Sequence, residues 1–200
     1  MMTKKTKITG IILAGGKNSR MGEPKAFLKI ENRRLIDRTL DIYREIFAEI
    51  IIVTNDPLAY TEFSDAFIVT DIYKGKGALG GIYTGLFYSS HNYSFASACD
   101  MPFLSHDFIQ YMTALAARHD IIVPEVAEGY QPLHAIYSKN CLTPIKRLIT
   151  ADKLKITGFY KEMRLLKVPE EKIKPFNHDG RLFQNINTPE DLAAFKDSGT

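Results

Sequence analysis

Five short runs of apolar, mostly β-branched residues punctuate this chain: Ile8–Leu13, Ile50–Val53, Phe67–Val69, Phe95–Cys99 and Ile121–Val123. Each is too short for a helix and is bounded by turn residues, which reads as a strand buried on both faces. Between them lie segments with helical spacing. Leu35, Ile36, Thr39, Leu40, Ile42, Tyr43 and Ile46 fall on one side, while Asp37, Arg38, Asp41, Arg44 and Glu45 face outward, the pattern of an amphipathic helix. A second helix is expected from Ser105, with Ser as the cap and Asp107 in the first turn ahead of Phe108, Ile109, Met112 and Leu115. A third is expected from Thr188, with Pro189 at the first helical position and Glu190 and Asp191 behind it. Strand and helix in alternation imply an α/β fold: a mostly parallel sheet covered by helices on both faces. His134–Tyr137 and Leu165–Val168 read as further strands, expected as antiparallel additions near a sheet edge.

Composition narrows the function classes. The chain has 200 residues, 45% of them hydrophobic, ample for a buried core, and no repeat or Ser/Gly-rich linker divides it; one domain over residues 1–200 is the expectation. Lys plus Arg at 26 against Asp plus Glu at 23 leaves a net charge of +3, too slight for a nucleic-acid footprint, so no nucleic-acid partner is expected. Two cysteines, Cys99 and Cys141, allow neither a disulfide framework nor a four-thiolate zinc site, which points to a reduced, cytoplasmic protein. Lys4, Lys5 and Lys7 followed by Ile8–Ala14 imitate a secretory signal, but Thr9 and Gly10 interrupt the apolar run and no cleavage pattern follows. No stretch approaches the length of a membrane span, so no membrane partner is expected either.

In such sheets ligands bind beyond the carboxyl ends of the strands. The first apolar run leads into Leu13-Ala14-Gly15-Gly16-Lys17-Asn18-Ser19-Arg20-Met21-Gly22, with Lys25 close behind. Glycines let main-chain N–H groups approach a phosphate, and Arg20 and Lys25 add charge-assisted contacts suited to a triphosphate. A Walker loop is absent, because Gly22 is followed by Glu23, and the Gly-x-Gly-x-x-Gly fingerprint is absent too. Asp100 follows the Phe95–Cys99 run and Asp71 follows Phe67–Val69. A carboxylate at the ligand end of a strand suits Mg²⁺, which takes one or two protein carboxylates together with substrate phosphates.

The segment Leu13 to Lys25, Leu-Ala-Gly-Gly-x-x-Ser-Arg-Met-Gly-x-x-Lys, resembles the signature of nucleotidyltransferases with a three-layer, Rossmann-like, glycosyltransferase-A-like sheet. Within that group the chain is most similar to the molybdenum cofactor guanylyltransferases. Gly77-Ala-Leu-Gly-Gly81 resembles that family's second glycine segment, Asp100-Met-Pro-Phe-Leu its metal segment, Gln131-Pro-Leu-His-Ala its substrate-side segment, and Asn185-Ile-Asn-Thr-Pro-Glu-Asp its C-terminal segment. The resemblance implies that Leu13, Ala14, Gly15, Gly16, Lys25 and Asp71 bind GTP. It implies further that Gly80 and Gly81 belong to the nucleotide site, and that Asp100 holds both Mg²⁺ and nucleotide. The implied reaction moves GMP from GTP onto the terminal phosphate of molybdenum-bearing molybdopterin and releases pyrophosphate, with Lys25, Asp100 and Arg20 as the catalytic groups. Transient contact with enzymes that deliver or accept the cofactor is part of the same expectation. Gly16 and the C-terminal asparagine segment favour this reading over a related cytidylyltransferase or sugar-phosphate nucleotidyltransferase, and the presence of Lys25 and Asp100 together favours it over a non-catalytic nucleotide-binding module.

Some positions depart from the family pattern or admit two readings. Ala78 stands where the family usually has proline. Asn55, after Val53-Thr54, either contacts nucleotide or starts the turn at Asp56-Pro57. Asn185 and Asn187 share one face of an extended segment, placed either to hydrogen-bond a pterin or as turn residues before a helix. His134 is expected as a hydrogen-bonded strand histidine rather than a base, and Cys99 as a buried thiol.

Overall fold

The computed structural model describes residues 5–15, 24–186 and 191. In chain order these form β1 (Thr6–Leu13), a small hairpin of β2 (Lys29–Ile30) and β3 (Arg33–Arg34), α1 (Leu35–Ile46), β4 (Phe47–Val53), β5 (Phe67–Val69) and α2 (Gly77–Tyr88). There follow β6 (Tyr93–Ala98), α3 (His106–Ala114), β7 (Ile121–Val126), β8 (Gly129–Tyr130), β9 (His134–Ser138), α4 (Leu142–Thr150), β10 (Leu165–Pro169) and α5 (Glu170–Ile173). The main sheet runs β10-β7-β9-β6-β1-β4-β5, with β8 paired to β7. The pairs β1–β4, β1–β6, β4–β5 and β7–β10 are parallel.

The strands are apolar throughout because both faces are covered. In β1, Ile8 and Ile12 enter one core with Ile36, Leu40 and Tyr43 of α1 and Phe108 and Met112 of α3. Ile11 and Leu13 enter the other, with Leu79, Ile82 and Leu86 of α2 and Ile145 and Ile149 of α4. β4 alternates in the same way, Ile50 and Ile52 to the first core, Ile51 and Val53 to the second. This is the three-layer, mostly parallel arrangement expected from the alternation of elements. The Ser105 cap is present, its hydroxyl accepting from the Phe108 N–H at 3.3 Å. Among the described residues no helix is long and apolar enough to cross a membrane. The helix start expected at Thr188–Glu190 lies outside the described residues.

Two expectations are corrected. β9 is antiparallel to both β6 and β7, but it lies between them inside the sheet, not at an edge. The chain returns from β7 through the β8 hairpin with no crossover helix, and a short return of that kind forces antiparallel pairing; all five residues of β9 are buried, as an interior strand requires. β10 does take the edge, but parallel to β7, because the chain crosses one face through α4 before reaching it. α2 was not legible as a helix. It is apolar almost all round, so it lacks an amphipathic stripe. Its glycines make the contact with the sheet, since a Cβ on Gly85 would sit 2.6 Å from Ile11 Cδ1.

At the opposite end of the sheet from the β1 loop, Asp120 joins three strands. Its carboxylate accepts from Arg164 Nε at 2.8 Å and Nη2 at 3.0 Å, from Asn140 Nδ2 at 2.7 Å and from the Ser138 hydroxyl at 3.1 Å. Arg164, then Asn140 and Ser138, hold the carboxyl well below its usual 3.8 despite the opposing effect of burial. The folded protein therefore binds this proton less readily than the unfolded chain. The stabilisation is full above the unfolded value and is lost as pH falls toward the folded one. Asp120→Asn should cost about 2 kcal/mol at neutral pH in denaturant unfolding. The gap between variant and wild type should hold constant down to about pH 5 and narrow below pH 4; a gap that widens in acid is incompatible with this assignment.

Candidate active site

Beyond the carboxyl ends of the parallel strands the backbone ladder continues for one more residue. Ala14 N–H donates to Val53 C=O at 2.8 Å, Thr54 N–H to Val69 C=O at 2.9 Å, and Cys99 N–H to Leu13 C=O at 3.1 Å. These bonds fix the loops after β1, β4, β5 and β6 around a cleft of about 240 Å³. Leu13, Ala14 and Gly15 line it together with Lys25 and Asp100, which pair with each other, and with Asp71 and Gly81, which lie side by side. Lys25 Nζ lies 3.4 Å from Asp100 Oδ2. The Asp100 side chain is 17% exposed and that of Lys25 33%, so both remain within reach of a ligand.

Asp71 is set differently. Its Oδ2 accepts from Asn55 Nδ2 at 3.3 Å, while Oδ1 is buried and has no hydrogen-bond partner among the described residues. Burial raises its pKa, with Asn55 opposing. A buried carboxylate oxygen without a partner leaves the hydrogen bonding of Asp71 incomplete, and the residue lines the cleft. Space is tight on both sides: a Cβ on Gly15 would stand 3.3 Å from Asn55 Nδ2, and one on Gly81 would stand 2.9 Å from Leu13 Cδ2, so a neighbouring side chain would have to shift for either. Asn55 thus orients Asp71, and the turn at Asp56-Pro57 follows directly from it. The far wall carries Asn185, held in place because the next residue's N–H, that of Ile186, donates to the Asp100 C=O at 2.9 Å.

The start of α2 also borders the cleft, through Gly77 and Ala78. Gly77 has φ +58°, a conformation glycine adopts without strain, and it turns the chain so that the helix begins at the cleft. The free N–H groups and positive dipole end of a twelve-residue helix favour an anion there. The resemblance singles out Gly77–Gly81 as a nucleotide-site segment, but the helix start itself is not read from the sequence; its local signal is the glycine pair Gly75 and Gly77 ahead of an apolar run.

A family model described as a MobA-like NTP transferase domain matches residues 10–167. The chain belongs to this MobA-like family. A molybdenum cofactor guanylyltransferase of Desulfosudis oleivorans is 38% identical over 187 residues, covering 92% of each chain. The crystal structure of a molybdopterin-guanine dinucleotide biosynthesis protein A from Archaeoglobus fulgidus superposes with a TM-score of 0.81 at 25% identity, over 96% of this chain and 98% of that one. A Mycobacterium tuberculosis protein solved in complex with manganese shares the fold, with a TM-score of 0.71 at 19% identity over 96% of this chain and all (100%) of that one.

In this MobA-like domain the structure brings together Leu13, Ala14, Gly15, Lys25, Asp71, Gly81, Asp100 and Asn185 around the one cleft. Gly80 does not line it; a Cβ there would meet Lys76 Cβ and Tyr73 C=O, both at 3.1 Å, so its smallness serves the turn into α2. Gly16, Arg20 and Asn187 lie outside the described residues. His134 is a buried strand residue, but the hydrogen bond expected of it is missing: neither ring nitrogen has a partner among the described residues. Its ring packs against Phe95, Phe108 and Phe183 at 5.0 to 5.4 Å between centroids, and burial lowers its pKa to about 3. It is therefore a neutral aromatic filler at physiological pH rather than a base. Cys99 is a buried thiol, pushed up to about 12 by burial and by the neighbouring Asp100, which removes it as a nucleophile.

Proposed function

We propose that this protein transfers GMP from GTP to the terminal phosphate of molybdenum-bearing molybdopterin, forming the guanine dinucleotide cofactor and releasing pyrophosphate. The observation that carries the reading is the meeting of Lys25, Asp71 and Asp100 around Ala14 and Gly15 in a chain whose relative at 38% identity is a molybdenum cofactor guanylyltransferase. In this reaction a phosphate oxygen of the acceptor bonds to the α-phosphorus of GTP and the bond from that phosphorus to the bridging oxygen breaks. The nucleophile is already an anion, so positioning and charge neutralisation matter more than proton transfer. That agrees with a cleft whose neighbouring histidine and cysteine are both unsuited to acid-base work.

The donor set fits Mg²⁺. Asp100 offers hard carboxylate oxygens, and no group of three or more His, Cys, Asp or Glu side chains able to hold a metal occurs among the described residues. A site with one protein carboxylate, completed by phosphates and water, is the habit of Mg²⁺ rather than of zinc. When bound there, Mg²⁺ supplies Lewis-acid neutralisation of the triphosphate. Lys25 pairs with the phosphates, Gly15 presents its main chain to them, Ala14 packs beneath them, and the Asp71 carboxylate, oriented by Asn55, accepts from the nucleoside. Arg20, Gly16 and Asn187 are proposed to complete the site, with Asn185 and Asn187 toward the pterin. Brief docking with enzymes that deliver or accept the cofactor is part of the proposal.

The test is pyrophosphate release by purified protein with Mg²⁺ and molybdenum-loaded molybdopterin, comparing GTP with CTP and with an acceptor-free control. Acceptor-dependent release with GTP alone is the expected result. Release with CTP in its place overturns the guanylyl assignment, and silence with both nucleotides overturns the transferase reading for this acceptor.

A further inference from the structure

Lys25 is carried by a segment that does not hold itself. It opens a three-residue 3₁₀ turn, Lys25–Phe27, whose preceding residue Pro24 gives no side-chain cap, and a single such turn is not stable alone. Ala26 is buried and the Leu35 N–H donates to the Leu28 C=O at 2.9 Å just after the turn; the side that carries Phe27 is held by a group of side chains behind it. The Phe27 ring lies 5.1 Å from that of Tyr60, and Tyr60 lies 6.2 Å from Phe63. Arg34 closes this group. Its guanidinium carbon stands 5.5 Å from the centre of the Phe27 ring and 5.4 Å from that of Phe63. The same guanidinium grips two carboxylates: Nε and Nη2 donate to Asp37 at 2.7 and 3.0 Å, and Nη1 and Nη2 donate to Glu62 at 2.7 and 2.8 Å. Asp37 belongs to α1 and Glu62 to the connection between β4 and β5, so one side chain ties both to the turn that bears Lys25.

We propose that Arg34 is a positioning residue for Lys25: by clamping Phe27 against Tyr60 and Phe63 it sets the ammonium group beside Asp100, and with it the phosphate affinity of the cleft. This rests on the nucleotide-binding reading of that cleft. Arg34 is not among the residues that line the cleft, and its charge is met by two carboxylates, so its influence travels through packing rather than through its own field. The site demands a flat cation for the rings and a fork for two carboxylates. Guanidinium provides both and ammonium neither.

The experiment measures binding of Mg²⁺-GTP by calorimetry to Arg34→Lys and Phe27→Leu, each alone and combined with Lys25→Ala. If the loosened turn holds Lys25 in place about a tenth of the time, each single change weakens binding about tenfold. In the Lys25→Ala background the same changes should cost nothing further, because the route they act through is gone; losses that simply multiply overturn the proposal. A second readout needs no nucleotide. Under limiting acetylation followed by peptide mass spectrometry, Lys25 should react several-fold faster in both variants while Lys153 and Lys155 keep their wild-type rates. An unchanged Lys25 rate overturns the clamp whether or not GTP binds. Wild-type protein that fails to bind GTP overturns the nucleotide reading and leaves the acetylation rate to decide the clamp. Should Arg34→Lys not fold, Phe27→Leu carries the same readouts.

Discussion

Asp100→Ala should lower Mg²⁺-dependent, acceptor-dependent pyrophosphate release by about 10³-fold or more while leaving the fold in place. The carboxylate is the described acidic group at the head of β6 on the Lys25 side of the cleft, and no cluster of three metal-binding side chains is present among the described residues to replace it. The main-chain bond from Ile186 to the Asp100 C=O survives the change, so the wall bearing Asn185 stays seated. Thermal unfolding of the variant should therefore match wild type closely. Wild-type turnover in Asp100→Ala would remove the metal assignment.

The second large effect belongs to Lys25. Lys25→Ala should raise KM for GTP about tenfold and lower kcat about 10²-fold, leaving KM for the acceptor near its wild-type value. A cation that met the phosphates equally in ground and transition states would change KM alone. Loss in kcat as well is expected because charge builds on the leaving pyrophosphate as the bond breaks. Steady-state kinetics with each substrate varied in turn separates these cases, and a change confined to the acceptor's KM would place Lys25 on the wrong half of the cleft.

Much of this arrangement was legible because strands buried on both faces leave a plain record. Ile8–Leu13, Ile50–Val53 and Phe67–Val69 were recognisable from apolar runs alone, and Asp71 and Asp100 stood out as carboxylates just past such runs. The stripe of α1 was equally clear, since one of its sides is wet. α2 wrote no stripe because the sheet, α4 and neighbouring aromatics cover nearly all of it. The position of β9 was not legible, because strand order depends on which neighbour is free to pair and not on the strand's own residues. His134 shows the limit at a single residue: sequence identifies an imidazole in a strand, but the three phenylalanines that surround it come from β6, α3 and the segment beyond α5. The Asn55–Asp71 bond was hidden for a similar reason, requiring the β4–β5 register to bring two loops side by side.

The interior place of β9 bears on how the molecule is assembled. β6 and β7 are not hydrogen-bonded to each other, so β5-β4-β1-β6 and β7-β10 are two separate half-sheets until residues 134–138 slide between them. On one side the insertion pairs residues close in the chain, Ile122 with Ile136, and on the other it reaches back from His134 to Ser97. Leu133, a wall of the cleft, arrives with the same strand. Without this strand the Lys25 and Asp100 loops would sit on one half-sheet with Leu133 absent from the cleft, so the cleft is completed only when the sheet closes.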